Sequence, residues 1–166
     1  VDADVIYATF GGGVYRTDNA GILWKAIGEQ ELCGRTNIGG GSCHYHGIIV
    51  ENESPYRVIV GSGGDQSALK GVGLKGSEDN GKSWRDSDDG FVRDIHVSKL
   101  IVDPNNSKIF YATTQGSTEY TDKIGDGEGV FKSTDSGESW ESINNGLDTL
   151  ETNVLAVDPK VKTSFQ

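Results

Sequence analysis

The 166-residue chain lacks the features of a membrane-spanning or nucleic-acid-binding protein. It has no methionine, 3 prolines, 2 cysteines, and no apolar run near the roughly 20 residues that a membrane helix needs. Its 15 basic residues are outnumbered by 25 acidic ones, which gives a formal net charge of −10. Because nucleic-acid backbones and anionic lipid surfaces attract cationic proteins, this charge argues against both as partners.

The sequence also lacks the pattern of a long helix. No window of about 11 or more residues repeats apolar positions at i, i+3 and i+4. Glycine, by contrast, accounts for 24 residues, roughly twice the usual share of about 7%. Short segments rich in Val, Ile, Tyr and Phe lie between the glycines. This composition predicts an all-β fold of many short strands joined by tight turns.

One motif, Ser/Thr-x-Asp/Asn-x-Gly-x-x-Trp, occurs three times and contains every tryptophan of the chain. We call its copies the box turns: box 1 at residues 17–24, box 2 at residues 77–84 and box 3 at residues 133–140. The tryptophans are 60 and 56 residues apart, and strand-like runs flank each copy. Each repeat therefore predicts a strand, a turn, a strand, a loop, a strand, a box turn and a strand. Four antiparallel strands in about 50 residues is the size of one β-propeller blade.

The repeats predict about three blades of a partial β-propeller. Their approximate bounds are 1–43, 44–92 and 93–147, and residues 148–166 begin a further blade. Closed propellers have about 4–8 blades. We therefore expect the chain to be a segment of a larger ring, completed by the remaining blades of the same propeller. The alternative is that two or more copies assemble one ring.

The residue types in the box turns suit a tight hairpin. Glycine supplies a position with positive φ, and the Asp, Asn, Ser and Thr side chains can bond to backbone N–H groups of the turn. The tryptophan is expected to pack its large apolar surface under the hairpin. The residues assigned to this structural role are Thr17, Asn19, Gly21, Trp24, Ser77, Asp79, Gly81, Trp84, Ser133, Asp135, Gly137 and Trp140.

The motif resembles the Asp-box (BNR) repeat, and the resemblance covers essentially the whole chain. Families with this repeat include sialidases, sortilin-type receptor ectodomains, photosystem II assembly factors and xyloglucan-active endoglucanases. Residues 102–140 are similar to the repeats of the last two throughout. The resemblance implies a β-propeller in which the box aspartates are structural. It does not select a function, because one architecture supports binding, scaffolding and hydrolysis.

The resemblance also bears on catalysis. In the xyloglucan-active family a catalytic aspartate precedes a Gly-Gly-x-Tyr-Arg stretch, to which residues 12–16 are similar. Phe10 and Gly11 precede that stretch here, and a phenyl ring can neither donate nor accept a proton. The Arg-Ile-Pro signature of the sialidases is also absent from the sequence. We therefore predict no catalytic residue within this chain.

Cys33 and Cys43 enclose a glycine-rich loop. Two cysteines ten residues apart in such a loop favour a disulfide that would staple it. A disulfide predicts an oxidising compartment, and hence a secreted, periplasmic or cell-surface protein. The alternative is two free thiols in a cytosolic protein.

Two groups of residues are weak candidates for a metal site. His44 and His46 are two residues apart, which would place both imidazoles on one face of a strand, and His96 is a third histidine that the fold could bring close. Carboxylates on a flexible glycine-rich loop suit Ca²⁺. The loop carboxylates are Asp122, Asp126 and Glu128. Surface histidines and a solvated acidic loop are the commoner explanations, so we predict no cofactor, with Ca²⁺ as the alternative. The acidic turn of Asp86, Asp88 and Asp89 is interpreted as solvated in the same way.

Together these observations predict a non-catalytic, extracytoplasmic β-propeller that serves as a binding or assembly scaffold for a protein or glycan partner. Two long inserts, residues 32–46 and 114–129, are the predicted binding loops. One alternative is a glycoside hydrolase of the xyloglucanase-like type, with its catalytic residues in other blades. Another is a structural component of a cell surface or an extracellular filament.

Overall fold

The computed structural model describes residues 4–10, 13–28, 32, 44–51, 56–62, 73–91, 96–115 and 127–159. All regular elements in this part of the chain are strands, which confirms the predicted all-β class. They are β1 (Ile6–Phe10), β2 (Gly13–Thr17), β3 (Lys25–Ile27), β4 (Tyr45–Val50), β5 (Val58–Ser62), β6 (Leu74–Ser77), β7 (Arg85–Asp86), β8 (His96–Asp103), β9 (Asn106–Gln115), β10 (Val130–Ser133) and β11 (Glu141–Ser142). The described residues contain no helix long and apolar enough to cross a membrane.

The strands form three antiparallel sheets in which neighbours in space are also neighbours in the chain. Sheet 1 contains β1, β2 and β3, sheet 2 contains β4 to β7, and sheet 3 contains β8 to β11. Sheets 2 and 3 confirm the predicted order of strand, turn, strand, loop, strand, box turn and strand. Each of them is one blade-like, four-stranded meander.

The pairing register shows which strands are equivalent. In each sheet one residue lies opposite the first residue of the box turn, and these pairs are Ile6–Thr17, Val58–Ser77 and Phe110–Ser133. The strands β1, β5 and β9 are therefore equivalent. In sheets 2 and 3 they pair with a preceding strand, β4 or β8, whereas β1 lies at the edge of sheet 1 in the described part of the chain.

Two apolar clusters hold the sheets face to face. One joins sheets 1 and 2 and includes Val14, Val58 and Val60. The other joins sheets 2 and 3 and includes Ile59 and Phe110. Successive side chains of a strand point to opposite faces, so β5 packs on sheet 1 with two valines and on sheet 3 with the isoleucine between them. Sheet 2 is therefore covered on both faces, and all five residues of β5 are buried.

The outer faces of sheets 1 and 3 are less well covered. At the sheet 1 end Ile6 is 41% exposed and Trp24 is 37% exposed. At the other end Leu147 and Leu150 are exposed, and Val154 is 78% exposed. The described residues after Leu150, up to residue 159, form no strand. Apolar side chains at both ends of the described row of sheets are therefore more exposed than those of the two clusters.

Candidate functional site

The first side chain of each box turn closes the hairpin. Its hydroxyl oxygen accepts the backbone N–H of the box glycine, at 3.1 Å from Gly21 to Thr17 and 2.8 Å from Gly81 to Ser77. The same bond in box 3 joins Gly137 to Ser133 at 2.8 Å. The glycine φ angles lie between +83° and +90°, in the left-handed region that glycine adopts without strain.

The residue before each box glycine is also left-handed, which the sequence did not predict. Asn80 has a φ of +66°, and the equivalent Ala20 and Ser136 have φ angles of +53° and +61°. Such values are uncommon for residues with a Cβ, and asparagine tolerates them best. Only Asn80 carried a sequence signal for this conformation.

The acidic side chains of boxes 2 and 3 are saturated with donors from their own turns. Asp79 accepts the backbone N–H groups of Lys82 and Ser83 at 2.9 Å and the Ser83 hydroxyl at 2.6 Å. Asp135 accepts the N–H of Ser139 at 3.0 Å and its hydroxyl at 2.6 Å. These carboxylates hold the hairpins through hydrogen bonds, and their oxygens are already engaged.

Those hydrogen bonds keep both carboxyls ionised. The bonds from the Ser83 hydroxyl and N–H lower the pKa of Asp79 to about 2. Burial raises the pKa of Asp135, but the bonds from Ser139 and Ser133 outweigh that effect and lower it to about 2. In box 1 Asn19 accepts the N–H of Leu23 at 2.9 Å without a charge.

The box tryptophans lie in different environments. Trp84 donates its indole N–H to the Gly81 carbonyl of its own turn at 3.1 Å. Trp140 donates instead to the Ser87 carbonyl of sheet 2 at 2.9 Å and is buried between the two sheets. A single repeat contains no signal for this contact, because the partner belongs to the preceding repeat.

Charged side chains link box 2 and box 3 across sheets 2 and 3. Glu138 accepts hydrogen bonds from Arg57 at 2.5 Å and from Arg85 at 2.8 Å. Arg85 also pairs with Glu78 at 2.7 Å. The Arg85 bond is the main cause of a lowered pKa at Glu138. The sequence did not predict this network, because its members are up to 81 residues apart.

The topology places attachment points of the two predicted binding inserts at one edge of the fold. In an antiparallel meander β4 and β8 begin at the edge where β5 and β9 end. Residues 32–46 lead into β4, and residues 114–129 follow the end of β9, so the end of the first insert and the start of the second lie at this edge, which we call the loop edge. Most of their residues lie outside the described part of the chain, including Cys33, Cys43, Asp122 and Asp126.

The ends of the second insert are held by hydrogen bonds. The Thr114 hydroxyl donates to the Gly129 carbonyl at 2.9 Å and accepts the Glu128 N–H at 2.8 Å. Asn144 accepts the Val130 N–H at 2.7 Å and donates to the Glu128 carbonyl at 2.7 Å. The loop therefore leaves and rejoins sheet 3 at fixed points, as expected for a loop carried by a rigid scaffold.

Two histidines lie at the loop edge. His96 begins β8 and is buried, and no hydrogen-bond partner of its Nε2 occurs among the described residues. Burial lowers the pKa of His96, and the charge of nearby His46 lowers it further. The fold thus brings His96 towards His46. The described residues contain no group of three or more His, Cys, Asp or Glu side chains that could hold a metal ion.

The segment that carries His44 and His46 contains an irregularity in its strand pairing. The strand β4 begins after His44, and its register with β5 shifts between Tyr45 and Gly47. Burial still alternates along this segment, as it does in a regular strand. His46 is exposed at the bulge, whereas Tyr45 and Gly47 on either side are buried.

A cavity of about 560 Å³ lies between sheets 2 and 3, beyond the end of β7. It is lined by Arg85, Asp86, Asp88, Asp89, Gly90, Phe91 and Glu138. Burial raises the pKa of Asp88, and the charge of Asp86 raises it further. The Phe91 ring is fixed by stacking on Phe131 at 4.1 Å. The cavity therefore combines hydrogen-bond acceptors, one guanidinium and one rigid aromatic ring.

The sequence did not predict this cavity. The sequence favours a solvated acidic turn for Asp86, Asp88 and Asp89. The structure places them beside Glu138, which comes from the box turn of the next sheet, and beside Phe91. Only the packing of one repeat on another creates the site.

No protein-family model and no curated protein matches this chain. Among solved structures, an ancestral GH74 enzyme matches with a TM-score of 0.57 and 16% sequence identity, over 86% of this chain and 17% of that one. The GH74 xyloglucanase from Xanthomonas campestris matches with a TM-score of 0.53 and 16% identity, over 83% of this chain and 18% of that one. The chain thus spans less than a fifth of the length of these structures, and the likeness shows a fold of the β-propeller type.

Proposed function

We propose that this chain is part of an extracytoplasmic β-propeller that binds a glycan in the cavity between sheets 2 and 3 and does not hydrolyse it. The observation that carries the proposal is the lining of that cavity. The carboxylates of Asp86, Asp88 and Asp89 can accept hydrogen bonds from sugar hydroxyl groups. The Phe91 ring offers an apolar surface to the C–H groups of a sugar ring.

The size and charge of the cavity fit the same class of ligand. Its volume of about 560 Å³ falls within the roughly 300–1,000 Å³ typical of ligand pockets. The chain carries a net charge of −10, which repels acidic polysaccharides. A neutral, hydroxyl-rich glycan suits both features. The likeness to GH74 structures, one of them a xyloglucanase, supports β-glucans as the first ligands to test.

The sequence supports binding without turnover. Phe10 and Gly11 occupy the place where the resemblance to the xyloglucan-active family would require a catalytic aspartate. One member of a carboxylate pair is then missing at this repeat, and glycoside hydrolysis needs two.

Titration calorimetry with xyloglucan and mixed-linkage glucan oligosaccharides tests the proposal. We expect binding by the natural chain and at least a tenfold weaker affinity for Asp88→Asn and for Phe91→Ala. The control is Asp148→Asn, an exposed acid that does not line the cavity and should leave affinity unchanged. Thermal melts establish that each variant is folded. Equal affinities for all folded variants, or no binding by the natural chain, would contradict the proposal.

A glycoside hydrolase is the second candidate, favoured by one observation. Burial raises the pKa of Asp88, which lies in the same cavity as Asp86, and glycoside hydrolysis uses two carboxyl groups at one site. Release of new reducing ends from the same glucans distinguishes the two functions. Turnover that disappears in Asp88→Asn would replace the binding role with hydrolysis.

The extracytoplasmic location is supported by the predicted bridge between Cys33 and Cys43, which lies outside the described residues. Intact mass measured without reduction should be about 2 Da below the reduced value, because forming one disulfide removes two hydrogens. Two thiols that react with an alkylating reagent in the native, unreduced protein would argue for a reducing compartment instead.

A further inference from the structure

The dipeptide Asn-Gly occurs twice in the chain, as Asn80-Gly81 in box 2 and as Asn145-Gly146 after β11. The backbone nitrogen that follows an asparagine can attack the carbon of its side-chain amide. Glycine leaves this nitrogen accessible because it has no Cβ, and asparagine is among the residue types least stable to heat. Whether either pair reacts in the folded chain depends on how the fold holds its two reacting groups.

The pair in box 2 is held by hydrogen bonds at both reacting groups. The side-chain oxygen of Asn80 accepts the backbone N–H of Tyr56 at 2.5 Å. The N–H of Gly81, which would be the attacking group, donates to the Ser77 hydroxyl at 2.8 Å, and Gly81 is buried. The turn would have to open before the Gly81 nitrogen could lose its proton and move towards the side chain of Asn80.

The second pair lies in an open turn. Asn145 and Gly146 are both exposed, and a Cβ placed on Gly146 would meet nothing within 4 Å. The turn is closed by the Leu147 N–H, which donates to the Asn144 carbonyl at 3.0 Å. Among the described residues neither the Asn145 side chain nor the Gly146 N–H has a hydrogen-bond partner. Within that part of the chain this pair therefore lacks the bonds that restrain the pair in box 2.

The residue before this second pair holds one end of the second insert. Asn144 accepts the Val130 N–H and donates to the Glu128 carbonyl, each at 2.7 Å. The fit is close, because a Cβ on Gly129 would overlap the Asn144 side-chain amide. A change in the backbone at position 145 therefore acts directly beside the contact that positions the end of the insert.

We propose that Asn145 is a modification site at which the folded chain loses ammonia through a succinimide, whereas Asn80 is protected. The Gly146 nitrogen gives up its proton to hydroxide and forms a bond with Cγ of Asn145. The bond from Cγ to the amide nitrogen breaks, and that nitrogen takes a proton from water and leaves as ammonia. Water then opens the five-membered ring at one of its two carbonyl carbons. Opening at Cγ yields aspartate, and opening at the backbone carbonyl carbon yields isoaspartate.

Either product changes the turn after β11. Both carry a negative charge that asparagine lacks, and isoaspartate adds one methylene group to the main chain at position 145. The longer main chain shifts the Leu147 N–H relative to its acceptor on Asn144. This distortion weakens the bond from Val130 to the Asn144 side chain, and it loosens the end of the second insert.

Peptide mapping of the natural chain tests the site without any substitution. The protein is incubated at mildly alkaline pH, and the gain of about 1 Da at each Asn-Gly pair is followed by mass spectrometry. We expect conversion at Asn145 to be at least ten times faster than at Asn80 in the folded chain, and the two rates to be similar in guanidinium chloride. Equal rates in the folded protein, or a tenfold difference that persists after unfolding, would overturn the proposal.

Hydrogen exchange tests the effect on the second insert. Chains that carry the extra charge are separated by anion exchange, and those with isoaspartate at position 145 are compared with the unmodified chain. We expect at least threefold faster exchange of the Val130 amide in the isoaspartate form, and no change at Lys132 within β10. An unchanged Val130 amide would overturn the effect on the insert.

The matched control for both measurements is Asn145→Gln. The longer side chain of glutamine closes a ring far more slowly, so this variant should neither gain mass at position 145 nor change the exchange of Val130 after the same incubation. Faster exchange of Val130 in the incubated variant would overturn the link between the insert and Asn145.

Discussion

Sheets 1 and 3 contain the same box motif but differ in how the tryptophan of the motif is packed. In sheet 3 Trp140 is 5% exposed and bonds to the Ser87 carbonyl of sheet 2, whereas Trp24 of sheet 1 is 37% exposed. The hairpin itself is alike in both, with the glycine N–H bonded to the first side chain of the motif. The motif therefore determines the turn, and the preceding sheet determines how much the tryptophan contributes to stability.

The two box turns also differ in charge. Asp135 has two carboxylate oxygens and accepts both the N–H and the hydroxyl of Ser139. Asn19 has one acceptor oxygen, and Leu23 at the position of Ser139 has no hydroxyl to offer. Box 1 therefore lacks the carboxylate and the hydroxyl bond that box 3 has at these two positions.

Truncating the tryptophans should give the largest difference between the sheets. Trp140→Ala removes a buried aromatic side chain and should lower the free energy of unfolding by about 3–5 kcal/mol. Trp24→Ala, at a partly exposed position, should cost about 1 kcal/mol. Urea unfolding followed by circular dichroism measures both, and equal losses would show that sheet 2 does not contribute to the burial of Trp140.

The box glycines should differ by a smaller amount. An alanine at either position would adopt a left-handed conformation, at a cost of about 1–2 kcal/mol. A Cβ at Gly137 would in addition clash with the Ile59 side chain of sheet 2, whereas at Gly21 it meets only the indole of Trp24, no closer than 3.7 Å. We expect Gly137→Ala to lower the free energy of unfolding by about 1–3 kcal/mol more than Gly21→Ala, because overpacking adds to the strain. Similar losses in urea unfolding would place the Ile59 contact in doubt.

Replacing the aspartate of box 3 with asparagine should make that turn resemble box 1, where Asn19 holds the same position. Asp135→Asn removes the carboxylate oxygen that accepts the Ser139 hydroxyl. It should lower the free energy of unfolding by about 1 kcal/mol at pH 7. The pKa of Asp135 is lowered from an ordinary 3.8 to about 2, so its ionised form stabilises the fold above pH 4, and this contribution is lost as pH falls from about 4 to 2. The variant should lose less stability over that pH range than the natural chain. Parallel pH profiles of the two proteins would contradict the assignment, and Asn19→Ala serves as an uncharged control in box 1.

The ion pairs between sheets 2 and 3 should have the smallest effect. Glu138→Gln removes the charge that pairs with Arg57 and Arg85 and should cost at most about 1 kcal/mol, less at high salt. Glu141→Gln, an exposed acid in β11, is the matched control and should have no effect. A loss above about 2 kcal/mol that does not change with salt would mean that the network is far better shielded from water than its exposure indicates.

The sequence predicted the strands well because the signals for them are local. Apolar runs, the spacing of the tryptophans and the turn chemistry of residues such as Gly81 and Asp79 all act within one repeat. The bulge at His46 and the left-handed Ala20 and Ser136 were missed, since no residue type marks them.

The candidate site depends on contacts between repeats, which the sequence does not contain. The cavity exists because Glu138 of one repeat lies beside Asp88 and Phe91 of the preceding one. The same is true of the approach of His96 to His46. The residue types were visible in the sequence, but which of them meet follows only from how the sheets pack.

The strand β5, buried on both faces, has a consequence for cooperativity. Neither outer sheet can detach without exposing Val58 and Val60 on one side or Ile59 on the other. In a row of repeats that contact only their neighbours, the central unit is coupled to both interfaces, and each end unit to one. The amide protons of β5 should therefore exchange with solvent only when the row as a whole opens, while those of sheet 1 exchange through partial openings. A protein of this kind unfolds its outer repeats first, and its middle strand is the last to lose its protection from exchange.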